Sequence, residues 1–196
     1  MSSNPSSGKS VSEFIDRNKE NAEKNVIEQF PAKVLELDEF LRSEILSLNR
    51  LPHIFTETGI PSPPPITDST DLTDLNGIKM WIQMNIPRIE DGNNFGVSIQ
   101  EEALAEARQV EGEAATYLDA VTRYFVHRAK LCGKLAKYPH LDDYRQAIKE
   151  LDEKEFITLR LVCAELRNHY AGLHDIIIKN LDKIKKPRTQ NVDTMY

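Results

Sequence analysis

Five histidines, two cysteines and the loop acids Glu90 and Asp91 are the residues of this chain whose types and places could do chemistry, and their spacing withholds it. His53, His127, His140, His169 and His174 are scattered. The last two are five apart, too far round a helix for a metal pair, and are expected at the surface. Glu90 and Asp91 lack the further ligands a cation needs, and are expected to face the N-terminus of the helix that follows, where the macrodipole favours negative charge. Cys132 and Cys163 stand alone in apolar stretches, with no CxxC or Cys/His spacing, and read as reduced core residues. There is no GxxxxGK[ST], HExxH or GxSxG, and no nucleophile beside a base. No catalytic residue, metal or cofactor is expected.

Two other segments carry residue types suited to recognition. Between two helical runs lies NIPRIEDGNNFGVSIQEE, residues 85–102, whose turn chemistry is longer and richer than a reversal of about two to five residues requires. Asp91, Gly92, Asn93 and Asn94 suit a rigid, hydrogen-bonding apex, and Pro87 fixes how it leaves the preceding helix. The second segment, PRTQNVDTMY at 187–196, follows the basic helix end KIKK and has no helical pattern. Extended, its ten residues reach about 33 Å. A methionine, a tyrosine and a carboxylate together suit capture in a pocket with a cation at its base, and a frayed end is the alternative.

The elements that must hold these segments are helices. Residues 1–10 are rich in Ser, Asn, Gly and Pro and are expected to be disordered. Over 11–50, Ile27, Phe30, Val34, Leu37, Leu41, Ile45 and Leu48 draw one apolar stripe, with a kink or break near Pro31. Residues 51–76, with PSPPP, read as a Pro-rich linker. The rest of the bundle is 77–186. It opens on the short helix GIKMWIQMNI, in which Trp81 is a packing anchor, and Pro87 stops it. Ser98 and Glu101 form a capping box for a helix carrying Leu104, Ala107, Leu118, Val121, Phe125 and Leu135 up to Pro139. Asp142 caps the last helix, whose stripe from Leu159 to Ile184 runs without a fault.

Helix lengths of about 55, 15, 58 and 66 Å follow from a rise of about 1.5 Å per residue. Three long helices and a stub do not close a four-helix bundle, so apolar surface is left over and an oligomer is expected. A net charge of -6 argues against nucleic acid or anionic membrane as partner, and the N-terminus lacks the apolar core of a signal peptide.

NIPRIEDGNNFGVSIQEE, together with LAKYPHLDDYR, DEKEFITLRLV, ELRNHY and the terminal TMY, resembles the REG (PA28-type) family of ATP-independent activators of the proteasome core particle, most closely its gamma-type branch. The resemblance runs from about Ile78 to Tyr196, and more loosely over EQFPAKVLELDEFL. It implies an all-α subunit, an antiparallel bundle of long helices, that assembles into a heptameric ring with a central channel. It also implies that Pro87, Arg88, Ile89, Glu90, Asp91, Gly92, Asn93, Asn94 and Phe95 form an activation loop pressing on gate residues of the core particle's outer ring. Thr194, Met195 and Tyr196 would anchor in pockets between that ring's subunits. Family members carry a long second helix, preceded in gamma-type subunits by an insert with a basic cluster tied to nuclear entry. Here DSTDLTDLN runs straight into GIKMWIQMNIP, so most of that helix and the cluster are missing. Nucleus, cytoplasm or both are implied as location. The rival reading is a helical adaptor, or a truncated form that oligomerises without activating.

Overall fold

The computed structural model describes residues 5–53 and 70–188. Among them the secondary structure is helical throughout: α1 Pro5–Lys24, α2 Phe30–Arg42, α3 Thr70–Asn85, α4 Phe95–Lys137, α5 Asp142–Lys179 and α6 Leu181–Lys185. Antiparallel pairing is written in the polar contacts. On α4 and α5, Glu113 meets His169, Tyr117 meets Glu165 and Tyr124 meets Asp152, so the partner's number falls as the α4 number rises. Lys79 with Glu111, and Asn85 with Gln100, show the same for α3 and α4.

Pro31 shapes the first helical run without ending it. A proline has no N–H to give and its ring crowds the carbonyl four residues back, here that of Ile27. A π-helical turn, Asn25–Gln29, takes up the misfit just ahead of it, with the Phe30 N–H bonded to the Asn25 carbonyl. A turn closed by i→i+5 bonds holds an extra residue, so Val26 is buried with Phe30 while Ile27, expected on the stripe, is exposed.

The run ends at Arg42, short of the expected 50. Ser43 is extended and its Oγ donates to the Phe40 carbonyl at 2.6 Å. Arg160 Nη1 donates to the carbonyls of Leu41 and Leu46 at 3.0 and 2.6 Å, holding the 3-10 turns that follow, Glu44–Leu46 and Leu48–His53. Leu46 is therefore buried, and Ile45 and Leu48 are not.

Three further expectations are corrected. Helix α1 already begins at Pro5, inside the stretch read as disordered. Helix α3 begins at Thr70 rather than Gly77, because Leu75 continues the spacing of Ile78 and Ile82 and is buried with them; the rest of the linker, 54–69, lies outside the described residues. The last helix is interrupted at Asn180, whose side-chain amide donates to the Ile176 carbonyl at 2.9 Å and whose own backbone leaves the helical region.

The chain forms two compact units. The first takes Met1–Ala32, Asp68–Glu111 and Tyr170–Tyr196. Its core is Val26 and Phe30 from the first run, Ile78, Trp81 and Ile82 from α3, Ala103, Leu104, Ala107 and Val110 from α4, and Tyr170, Leu173, Ile177 and Ile184 from α5 and α6. Phe30 meets Tyr170 edge to face, with centroids 4.8 Å apart. The second unit takes Lys33–Thr67 and Gly112–His169. Its buried apolar cluster is only Leu41, Leu46 and Cys163, flanked by Leu37, Phe156 and Ala164. No residue of α4 beyond Val110 is buried, and Leu118, Phe125 and Val126 are exposed.

Candidate functional site

Residues Ile86–Asn94 connect α3 to α4 as an exposed loop. Its outline is set by dihedrals: Gly92 at φ +82° and Asn93 at φ +50° are successive left-handed residues, which glycine and asparagine tolerate best. The apex is closed by the Asn94 side chain, whose Nδ2 donates to the Glu90 carbonyl at 3.2 Å. Ile89 is fully solvent-exposed and Phe95 largely so.

Helix α4 starts at Phe95, the last residue expected in the loop, so Ser98 is inside the first turn and not the N-cap. Its N–H bonds the Asn94 carbonyl at 3.0 Å and its Oγ the Phe95 carbonyl at 2.7 Å. Asn94 holds the cap position instead. Glu90 does not simply face the helix N-terminus; its carboxylate lies 3.0 Å from Arg188 Nη1. Asp91 is exposed.

Three residues that the sequence pattern does not mark hold this loop. Gln100, wholly buried, donates from Nε2 to the carbonyls of Asn85 at 2.9 Å and Ile184 at 2.7 Å, tying the C-terminal ends of α3 and α6 to α4. Its Oε1 is buried with no hydrogen-bond partner among the described residues. Gly96 is buried against the Pro187 backbone, where an added Cβ would stand 2.0 Å from the carbonyl oxygen. Arg188 donates from Nη2 to Asn94 Oδ1 at 3.1 Å as well as pairing with Glu90. The root of the C-terminal segment thus lies on the loop. Thr194, Met195 and Tyr196 lie outside the described residues.

The chemistry-bearing residues are occupied structurally. His169 Nε2 is 2.6 Å from Glu113 and largely buried, not a surface residue. Cys163 is buried and its thiol pKa is raised by that burial against the opposing charges of Arg167 and Arg160, which makes it a poor nucleophile; Cys132 is only half-buried. A recess of about 350 Å³ beside Arg42, Arg160 and Arg167 has its cations engaged, two by Asp38 and one by the carbonyls already described. No group of three or more metal-ligating side chains is found among the described residues, nor a helix long and apolar enough to cross a membrane.

Residues 5–65 match the family model described as Proteasome activator PA28, N-terminal, and residues 68–194 match that described as Proteasome activator PA28, C-terminal. The chain belongs to the PA28 proteasome activator family. It is 43% identical to the human Proteasome activator complex subunit 3, over 95% of this chain and 94% of that protein, and to the same degree to the chicken protein of that name. The 11S subunit of the Plasmodium falciparum proteasome, PA28, superposes with a TM-score of 0.79 at 31% identity, over 95% of this chain and 94% of that one. The P26 activator in a complex with an archaeal 20S proteasome shares the fold, with a TM-score of 0.69 at 16% identity over 94% and 99%. The 240 positions aligned with the human PA28 relative exceed the 196 residues of this chain, so at least 44 of them stand opposite no residue here. That shortfall agrees in size with a missing stretch of helix.

Proposed function

We propose that the chain is an ATP-independent activator subunit of the proteasome core particle, docking through Thr194, Met195 and Tyr196 and opening the gate with the loop from Pro87 to Phe95. The observation that carries this reading is the pairing of an exposed, conformationally defined loop with the root of the C-terminal segment, at one end of a PA28-family bundle. Relatives are named as proteasome activators, and solved neighbours of the same fold were captured on 20S proteasomes. Docking then comes from several weak tails acting together in a ring of seven copies, since avidity multiplies modest affinities. Gate opening comes from the loop's preferential contact with the open state, which is the only way binding can shift that equilibrium. The chain is a regulator of a protease and not itself a protease, and acts in the nucleus, the cytoplasm or both.

The reading is tested by co-sedimentation with purified core particles. Removing Met195 and Tyr196 should abolish binding; retention of full binding would show that the tail is not the anchor. The second reading, a form that oligomerises without activating, is favoured by one observation: the apolar residues Leu118, Phe125 and Val126 that stay exposed on α4.

A further inference from the structure

The loop apex runs from Glu90 to Asn94, and both of its ends are held by one side chain. Arg188 Nη1 reaches the Glu90 carboxylate at 3.0 Å and Nη2 reaches Asn94 Oδ1 at 3.1 Å. The same Asn94 amide turns its other face to the Glu90 carbonyl, so the apex is closed from inside and clamped from outside. The Arg188 side chain is only 18% exposed, which limits its rotamers, and Pro187 before it is wedged against Gly96. A planar guanidinium with two parallel donors fixes geometry in a way a single ammonium does not. Arg188 is also the last described residue before the eight that end in Met195 and Tyr196, so whatever holds those residues acts on the chain next to the clamp.

We propose that Arg188 is the positioning residue that couples the tail to the loop: from the root of the docking segment its guanidinium sets the pose in which the apex meets its partner. The proposal rests on the loop and tail roles given above. Because Glu90 is half-exposed, the ion pair itself is of the weak, solvent-screened kind. Its effect is on the loop's conformational spread and not on the stability of the bundle.

Two readouts on the full chain separate the possibilities. The first is amide hydrogen exchange over 87–94, and the second is peptide hydrolysis by core particles titrated with activator. Arg188→Ala should raise exchange in the loop by roughly two- to ten-fold, the range that loss of a weak pair and one hydrogen bond gives, while α4 and α5 stay protected. The stimulation plateau should fall several-fold, with the half-saturating concentration close to that of the unaltered chain because the tail is intact. Arg188→Lys keeps the charge but not the fork and should also fall below the full plateau. Unchanged loop exchange in Arg188→Ala would overturn the clamp. Raised exchange with a full plateau would overturn its positioning role, and full rescue by lysine would overturn the two-point geometry. Asn93→Tyr serves as the control for the loop reading itself. If it stimulates fully, that reading fails and the proposal with it; if it is inactive while Arg188→Ala is not, only the proposal fails.

Discussion

Gln100, Gly96 and Tyr124 each have a consequence that a single substitution exposes. Gln100→Leu keeps the bulk of a buried side chain but strips the carbonyls of Asn85 and Ile184 of their donor. The expected cost is about 1–3 kcal/mol in urea unfolding, the penalty of buried acceptors left unpaired. Gly96→Ala drives a methyl into the Pro187 backbone, and should cost about 1–3 kcal/mol while loosening the tail root, read as faster exchange near Arg188. Tyr124 donates to Asp152 Oδ1 at 3.0 Å, and burial together with that bond pushes its pKa from 10.0 up to about 12. A raised folded-state pKa means stability that is complete below the unfolded value and lost as pH rises through the folded one. Stability should therefore decline between about pH 10 and pH 12, and Tyr124→Phe should flatten that decline, measured as urea midpoints against pH. Tyr117, raised by burial and by its bond to Glu165, is present in the unaltered chain and in Tyr124→Phe alike, so its contribution cancels in the comparison. Gln100, Gly96 and Arg188, which hold the loop, carry no sequence signal of that role. Gln100 sits in a run that reads as a helix start, Gly96 among turn residues, and Arg188 as one more cation at a basic helix end.

The helices themselves were largely legible, because 3.6-residue periodicity is local, whereas their ends were decided by partners far along the chain. The α2 terminus depends on Arg160, more than a hundred residues away, and the Asn180 break on a side chain that competes for a backbone carbonyl. Pro31 signalled a disturbance but not its form, since the choice between break and π-turn rests on whether the widened turn still buries Val26 and Phe30. Ser98 and Glu101 fit a capping box in sequence, yet Asn94 takes the cap because Arg188 and the Glu90 carbonyl hold it there. Helix α3 is short, and its anchoring lies in Trp81, Ile78 and Ile82, all fully buried. Trp81→Ala should cost about 3–5 kcal/mol in urea unfolding, the range for large-to-small changes at a packed site. Loss of α3 packing frees the near end of the loop, so stimulation should fall together with stability in that variant.

On the scale of the whole chain, the first unit has a full core and the second has a face that none of the described residues covers. Leu118, Phe125 and Val126 on α4, and Leu159 and Leu161 on α5, are exposed. If neighbouring copies cover that surface, Leu118→Asp with Phe125→Asp should shift sedimentation from ring to monomer with little change in helicity, and an intact ring would contradict the assignment. The docking role proposed for residues 189–196 rests on family membership and on the contacts of Arg188 with the loop. The central claim is that this loop, held in place by the bundle, opens the gate. Its most direct test is hydrolysis of short fluorogenic peptides by purified core particles, with the unaltered chain set beside Asn93→Tyr at concentrations where both are shown to bind. Stimulation by the former and none by the latter is the expected result, and equal stimulation by both would contradict the account.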